Sequence, residues 1–270
     1  MSRIDAALHD LRSLDALAQR DTPLARLDAR AKLITTLVFV AVVVSFDRYT
    51  VAALLPLALY PVALAALGEV PAASLMRKLV IAAPFALLVG LFNPLLDRAP
   101  MLAIGDMVIA GGWVSLASIC VRFVLTVSAA LVLIAVSGMH TLCAALGRLG
   151  VPRVFTAQLL FLYRYAFVLG GEASRMATAR QLRAGGHGGA RLATYGPLVG
   201  HLLLRAFERA QRIHLAMIAR GFDGEMRSLR VLHWTRRDTL FILGWCAFFA
   251  LARAADLPQV LGGILTGALP

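Results

Sequence analysis

The chain has 270 residues, of which 60% are hydrophobic and only 16% are charged, and its mean hydropathy is +0.77. Soluble domains are roughly half apolar and roughly a quarter charged, so this composition excludes a soluble or disordered chain and indicates an integral membrane protein. Only three cysteines in a chain of this size exclude a small disulfide scaffold, and the net charge of +12 comes almost entirely from arginine.

Five apolar stretches are candidates for crossing a hydrocarbon core, which takes about 20 helical residues. They lie at residues 31–46, 51–67, 79–96, 113–136 and 240–254. Pro56, Pro61 and Pro84 interrupt the second and third stretches, and a proline in lipid is tolerated where neighbouring helices satisfy the freed carbonyls. We therefore expect these two spans to be kinked and packed. The sequence predicts an all-α integral membrane protein with five transmembrane helices, and the uncharged tail at 257–270 leaves a short sixth open.

The segment between the third and fourth spans, residues 101–113, is too short to cross a membrane. Its apolar runs are broken at Gly105-Asp106 and at Gly111-Gly112, a pattern typical of turns. We expect an extracytoplasmic loop or a small hairpin there.

Positive charge is concentrated in residues 171–237, which hold twelve arginines against four acidic residues. Loops rich in arginine and lysine stay on the cytoplasmic side, so this segment should be cytoplasmic. Arg77 and Lys78 precede the third span on the side that five alternating crossings also make cytoplasmic. The sequence thus predicts a multi-pass protein of the inner (plasma) membrane with its amino terminus inside, and residues 1–30 lack the apolar run of a secretory signal.

About a hundred residues, 137–238, separate the fourth and fifth spans, far more than an ordinary connection needs. A short helix at 140–149 is stopped by Gly150. Apolar residues then recur at alternating steps of four and three, which predicts two long amphipathic helices that end at Ala184 and at Gly221. We interpret them as cytoplasmic coupling helices. The predicted domains are the amino-terminal segment with four spans, the coupling-helix region, and the last span with the tail, at 1–137, 138–237 and 238–270.

A glycine run joins the two long helices, because GGHGG at 185–189 places four glycines in five residues and cannot hold a helix. Glycine enters backbone states with positive φ at little cost. We interpret the run as a hinge. Its members are Gly185, Gly186, Gly188 and Gly189.

Each long helix carries an arginine beside its stop, Arg183 in the first and Arg220 in the second. Such arginines could compensate the helix dipole. They could also present a bidentate guanidinium to a carboxylate of a cytoplasmic partner, for which lysine is a poor substitute. The repetition of the same device on two helices favours the second interpretation.

Two tripeptides contain these arginines: ARG at 219–221, within AMIARGFDG, and the weaker LRA at 182–184. Three further segments are LDARAKL at 27–33, LGVP at 149–152, and YRY at 163–165 followed by Glu172. Together these motifs resemble those of the transmembrane T component of energy-coupling factor (ECF) transporters. The resemblance covers nearly the whole chain, and AMIARGFDG in particular is similar to the cobalt and nickel branch, the CbiQ-like proteins.

This resemblance implies a non-catalytic scaffold subunit of an ECF-type ABC importer for cobalt or nickel ions. Its partners would be two cytosolic ABC ATPases (CbiO-like), which use ATP and magnesium, and a membrane metal-capture subunit (CbiM-like), with or without a small accessory membrane subunit. The chain itself would contact membrane lipid and would bind no cofactor and no nucleic acid.

The resemblance also implies that the arginine motifs dock in grooves of the two ATPases. Carried over position by position, the docking residues are Leu182, Arg183, Ala184, Ala219, Arg220 and Gly221. Ala179 and Arg180 offer a competing register one turn earlier at the first site. The sequence leaves the choice between Arg183 and Arg180 open.

Neither a P-loop nor a metal site is evident in the sequence. The two lysines follow Ala31 and Arg77, whereas a Walker A lysine follows glycine, so we expect ATP hydrolysis to belong to partners. The six histidines are scattered and no pair falls four residues apart, so we expect no metal ligands here. Arg122, in the fourth span, is a functional candidate, since an intramembrane charge is costly unless it pairs with a neighbouring helix.

Two functions of other classes stay open from the residues alone. A membrane enzyme acting on lipid-linked phosphates would use the arginine-rich helices as an anion site, although no acidic metal site accompanies them. A self-sufficient channel or carrier would want polar residues along the spans or repeated halves, and neither is evident.

Overall fold

The computed structural model describes residues 15, 17–47, 50–96, 100–104, 107–183, 192–224 and 233–254. The predicted tail at 257–270 and the predicted hinge at 185–189 lie outside these residues. The chain divides into two compact units. Unit 1 contains Met1–Ala16 and Met139–Val231, and unit 2 contains Leu17–Gly138 and Leu232–Pro270. The predicted domain boundaries stay a prediction.

The described residues form mainly α-helices. In chain order the elements are α1 (Ala29–Ser45), α2 (Leu59–Leu67), α3 (Ala72–Leu96), β1 (Pro100–Ile104), β2 (Met107–Ala110), α4 (Gly111–Ser137), α5 (Met139–Arg148), α6 (Arg153–Arg183), α7 (Leu192–Ala219) and α8 (Arg236–Ala254). In unit 2, α3 packs along α4, and α1 packs against α4 and α8. The protein is thus a membrane protein of the all-α class, and β1 and β2 form one short hairpin between α3 and α4.

The second predicted span is interrupted, as its prolines indicated. Two short 3-10 turns, Ala52–Leu54 and Pro56–Ala58, precede α2, which begins only at Leu59. Pro61 is tolerated because it lies in the first turn of α2, where backbone N–H groups have no partner within the helix. By contrast, α3 continues through Pro84. The structure thus interrupts the second predicted span, whereas the predicted kink of the third span stays a prediction.

The segment between α3 and α4 forms a small hairpin, which confirms one of the two predicted alternatives. β1 and β2 pair antiparallel, with Ile104 opposite Met107. The turn residues Gly105 and Asp106 lie outside the described part of the chain, and the extracytoplasmic position of the hairpin stays a prediction.

An aromatic cluster forms the core of unit 2 and joins α1, α2 and α8. The Tyr60 ring is fully buried, with its centroid 4.6 Å from that of Phe39 and 5.2 Å from that of Phe249. Its hydroxyl group lies 2.8 Å from the hydroxyl of Thr36, which satisfies a buried phenol. Trp245 completes the cluster, 4.9 Å from Tyr60 in an edge-to-face arrangement. Three separate apolar stretches are thus held together by ring contacts.

Asp28 caps the amino terminus of α1 and binds Arg30. Its Oδ1 accepts a hydrogen bond from the Arg30 backbone N–H at 2.8 Å, and its Oδ2 accepts one from Arg30 Nη2 at 2.8 Å. Burial tends to raise the pKa of the Asp28 carboxyl, but the hydrogen bonds and charge of Arg30, with the charge of Lys32, hold that pKa below its ordinary value. Because folding lowers this pKa, the pair stabilises the fold at neutral pH and stops doing so as acid protonates Asp28, below its ordinary pKa of 3.8.

Asp238 ties the start of α8 to the start of α1. Its carboxylate is almost fully buried, and Oδ1 accepts a hydrogen bond from the Asp28 backbone N–H at 2.7 Å. Oδ2 accepts hydrogen bonds from the backbone N–H and the hydroxyl of Thr235, both at 2.7 Å. The Arg30 guanidinium also lies 5.3 Å from the centre of the Trp234 ring. The LDARAKL motif therefore has a structural role, because it anchors the last span.

Replacing Asp238 with Asn is expected to destabilise unit 2 by about 1–3 kcal/mol, because one amide oxygen replaces two acceptors and an NH₂ group faces buried donors. The measurement is the thermal unfolding midpoint of the chain in detergent. Asp21→Asn is the matched control, since the Asp21–Arg26 ion pair is exposed and contributes little. Equal midpoints in the two variants would contradict this role of Asp238.

Arg122 of α4 binds the carboxyl end of α1. Its Nη2 donates to the backbone carbonyls of Phe46, at 2.9 Å, and of Asp47. Phe46 and Asp47 directly follow Ser45, the last residue of α1, so the guanidinium places a positive charge beside the carboxyl end of the helix, where the helix dipole favours it. Arg122 therefore pairs with the segment that follows the neighbouring helix α1, and within unit 2 it holds that segment against α4.

Unit 1 contains the short helix α5 and the two long helices α6 and α7, which match the predicted segments closely. α5 ends at Arg148, and Gly150 follows with a φ of +99°. α6 packs against both α5 and α7. The predicted helix stops are confirmed at Gly150 and Gly221. Both glycines have positive φ, a local backbone conformation that ends a helix.

Three helices of the described residues are long and apolar enough to cross a membrane: α3, α4 and α6. Of the remaining predicted spans, α1 has 17 residues and α8 has 19 with charges at both ends. α6 is long and apolar enough to cross a membrane because its amino-terminal half is apolar and most of its charges follow residue 171. We predicted this helix to be cytoplasmic. The side of the membrane on which α6 lies stays a prediction.

Candidate functional site

The carboxyl end of α7 presents Arg220 on a tight helix stop. The N–H of Gly221 donates to the carbonyl of Ile218 at 2.9 Å, and the N–H of Phe222 donates to that of Met217 at 3.0 Å, which together form a Schellman motif. Gly221 has a φ of +78°, a conformation that is strained for other residues. In the ARG tripeptide, glycine therefore stops the helix, and the arginine occupies the C-cap position directly after Ala219, the last residue of α7.

Arg220 is exposed and lines a cavity of about 570 Å³ between α6 and α7. Two other charged residues line the cavity, Arg164 of α6 and Asp223 after α7. The remaining lining residues are Phe161, Tyr165, Ile213, Ala216, Met217, Gly221 and Phe222. We call the three exposed charged side chains the rim of the cavity and its half-buried aromatic and aliphatic side chains the floor.

A second cavity, of about 550 Å³, continues between the same two helices. Five residues line both cavities: Phe161, Tyr165, Ile213, Met217 and Phe222. We call the two cavities together the α6–α7 groove. It runs along the packed faces of the helices and ends at Arg220.

α7 also carries an exposed apolar surface. Its exposed residues are Val199, Leu203, Leu204, Phe207, Leu215 and Ile218. Large exposed apolar patches mark interaction surfaces for proteins or membranes. Both the groove and this surface are therefore candidate interaction surfaces of the α6–α7 pair.

Glu172 of α6 holds α6 and α7 together. Its carboxylate, with a side chain only 10% exposed, accepts from Arg205 Nη1 at 3.3 Å and from Arg209 Nη2 at 3.1 Å. The sequence pointed to Glu172 only through the family resemblance. Its spacing instead favours a surface ion pair between Glu208 and Arg212, which lie four residues apart on α7. No such pair forms within the described part of the chain. The available signal was that Arg205 and Arg209 are four residues apart on one side of α7.

At the first predicted docking site, Arg183 is the last residue of α6 and is exposed. Leu182 beside it is 78% exposed. Ala179 is also exposed, whereas Arg180 is half-buried and already interacts within the protein. Ala184 lies outside the described residues. The structure thus distinguishes the environments of the two candidate arginines.

Within the described residues, no group of three histidine, cysteine, aspartate or glutamate side chains could hold a metal ion. Arginine and apolar side chains make up most of the lining of the α6–α7 groove, and neither kind is a usual metal ligand.

A family model described as a cobalt transport protein, CbiQ, matches residues 20–231. The chain belongs to the CbiQ family. This confirms the resemblance to the ECF transmembrane T component of the CbiQ-like branch. The match to the CbiQ model includes the LDARAKL motif, the α6–α7 groove and the candidate docking arginines Arg180, Arg183 and Arg220.

Three relatives illustrate the similarity. The cobalt transport protein CbiQ of Rhodobacter capsulatus is 34% identical over 127 residues, which cover 46% of this chain and 43% of the relative. The energy-coupling factor transporter transmembrane protein EcfT of Bacillus subtilis is 30% identical over 243 residues, which cover 84% of this chain and 91% of the relative. An uncharacterized protein of Methanocaldococcus jannaschii is 32% identical over 87 residues, 31% of this chain and 32% of the relative. This CbiQ-family chain therefore spans less than half of two of the relatives and nearly all of the third.

Proposed function

We propose that the chain is the energy-coupling transmembrane subunit of an ECF-type ABC importer for cobalt or nickel ions and that it has no catalytic activity. The family match over residues 20–231 carries this proposal, together with an exposed arginine at the end of each long helix. Two cytosolic ABC ATPases (CbiO-like) would hydrolyse ATP with magnesium. A membrane capture subunit (CbiM-like), with or without a small accessory membrane subunit, would select the ion, and the names of the family and of the Rhodobacter relative favour cobalt.

Docking would use Arg183 and Arg220, one for each ATPase, with Leu182, Ala184, Ala219 and Gly221 shaping the two sites. A guanidinium at an exposed helix end can form two parallel hydrogen bonds with a carboxylate of the partner. The amino terminus and both long helices would then lie on the cytoplasmic side. The exposed apolar surface of α7 would pass ATPase motion to the capture subunit.

The test is to purify the tagged chain with its native partners, identify them, and measure uptake of radioactive cobalt and nickel by the reconstituted assembly. We expect ATP-dependent uptake of one ion that is lost when the ATPases are deleted. Uptake that persists without them would identify a self-sufficient carrier. Phosphatase or transferase turnover by the isolated chain would instead support an enzyme acting on lipid-linked phosphates.

The register of the first docking site is tested by two matched substitutions on α6. We expect Arg183→Ala to reduce ATPase association and uptake more than Arg180→Ala, because Arg183 is exposed whereas Arg180 is half-buried and already engaged. The measurement is co-purification of the ATPases with each variant, beside uptake. The opposite order would move the docking residues to Ala179 and Arg180, one turn earlier.

The hinge interpretation predicts a loss of coupling when Gly185, Gly186, Gly188 and Gly189 are replaced by alanine. If α6 and α7 rotate against each other as the ATPases close, alanine restricts the backbone states that this motion needs. ATPases should still bind and hydrolyse ATP while uptake per ATP hydrolysed falls. An unchanged ratio in the reconstituted complex, with lower expression or thermal stability, would leave the glycines only a structural turn.

A further inference from the structure

We propose that Arg164 is a second docking residue of the Arg220 site, and that an acidic ATPase segment with a large apolar side chain binds in the α6–α7 groove between the two arginines. This inference rests on the proposed function and extends it, because neither the resemblance nor the family match assigns a role to Arg164. It begins from one observation: Arg164 of α6 and Arg220 at the end of α7 line the same cavity of about 570 Å³.

Both guanidinium groups are available to a partner. Arg164 and Arg220 are exposed, and neither side chain forms an ion pair or a hydrogen bond within the described residues. The third charged lining residue, Asp223, already has an interaction of its own. Two positive charges on the rim of one cavity therefore attract an anionic group.

The position of Arg164 strengthens this inference. It lies in the apolar half of α6, where no acidic residue occurs within one turn on either side. An arginine on such a surface is costly to bury against apolar groups unless an acid accompanies it. A protein partner that covers this face of α6 is therefore expected to bring a carboxylate.

The floor of the cavity indicates which kind of partner side chain lies next to that carboxylate. Phe161, Tyr165, Met217 and Phe222 supply aromatic and flexible apolar surface below the charged rim. Tightly bound partners insert a large apolar or aromatic anchor into such a pocket and surround it with polar contacts. In a protein segment that carries an acidic residue beside a large apolar residue, the acid would pair with the arginines of the rim and the apolar side chain would pack on the floor.

The test compares ATPase association for four variants of the full chain in the same detergent. We expect Arg164→Gln to weaken association by roughly tenfold or more, because it strands the partner's carboxylate at the interface. Ala216→Phe should do the same by filling the cavity without changing its charge. Arg212→Gln is the matched control, an exposed arginine of α7 that lines neither cavity, and it should change little.

Arg220→Ala is the fourth variant. It distinguishes failure of the groove inference from failure of the proposed docking function. If Arg220→Ala weakens association while Arg164→Gln and Ala216→Phe do not, the groove inference is overturned and the docking role of Arg220 stands. If all three leave association unchanged, both fail. If Arg164→Gln instead reduces only the binding of phosphatidylglycerol in nanodiscs, Arg164 binds lipid and the inference is overturned.

Discussion

Arg220→Ala is expected to abolish ATP-driven metal uptake while the chain stays folded and inserted in the membrane. The Arg220 side chain is exposed at the end of α7, and the turn that follows is maintained by Gly221, so folding loses little. At an interface, by contrast, loss of one partner of a desolvated charge pair costs about 2–5 kcal/mol. The measurements are ATPase co-purification, uptake in proteoliposomes, and thermal unfolding of the purified chain.

Arg220→Lys is the informative control for this prediction. It retains the positive charge and loses the planar fork that binds both oxygens of a carboxylate, so intermediate association is expected. Normal uptake by Arg220→Ala would refute the docking role. A lower unfolding temperature for Arg220→Ala would show that its effect is structural.

Glu172→Ala is expected to loosen the α6–α7 pair and to lower both stability and coupling. The substitution removes two charged hydrogen bonds and leaves Arg205 and Arg209 facing each other one turn apart on α7. A fully buried ion pair broken in this way costs about 3–5 kcal/mol. Because the arginine side chains are 60% and 38% exposed, we expect a smaller loss, about 1–3 kcal/mol.

Two measurements test the role of Glu172. One is thermal unfolding, and the other is the distance distribution between spin labels at exposed positions of the two helices, such as Leu162 and Leu215. The distribution should broaden in Glu172→Ala. The matched control is Glu208→Ala, an exposed glutamate of α7. If the two glutamate variants behave alike, Glu172 does not position the helices.

Local signals in the sequence were sufficient for the class of protein and for most of its helices. Apolar composition predicted a membrane protein, and the alternating steps of four and three predicted α6 and α7 almost to their ends. The stops at Gly150 and Gly221 follow from backbone geometry at single residues, with φ of +99° and +78°. Features of this kind depend on near neighbours in the chain and can therefore be predicted without tertiary structure.

Side-chain pairing across helices was decided by the tertiary structure alone. Asp238 binds the backbone of Asp28 across 210 residues of sequence, and Glu172 binds Arg209 across 37. The periodicity of a helix shows which face is apolar, but it does not show the rotation or translation of that face against another helix. For this reason the sequence suggested a local pair of Glu208 with Arg212, whereas the packed helices place Glu172 opposite two other arginines.

The same distinction applies to the proposed docking site. Arg220 could be predicted from the sequence, because its motif includes the glycine that stops the helix. Arg164 could not be assigned to the same site, because 56 positions separate it from Arg220 along the chain. Only the packing of α6 against α7 places both arginines on one cavity, since a shared cavity depends on how two surfaces meet.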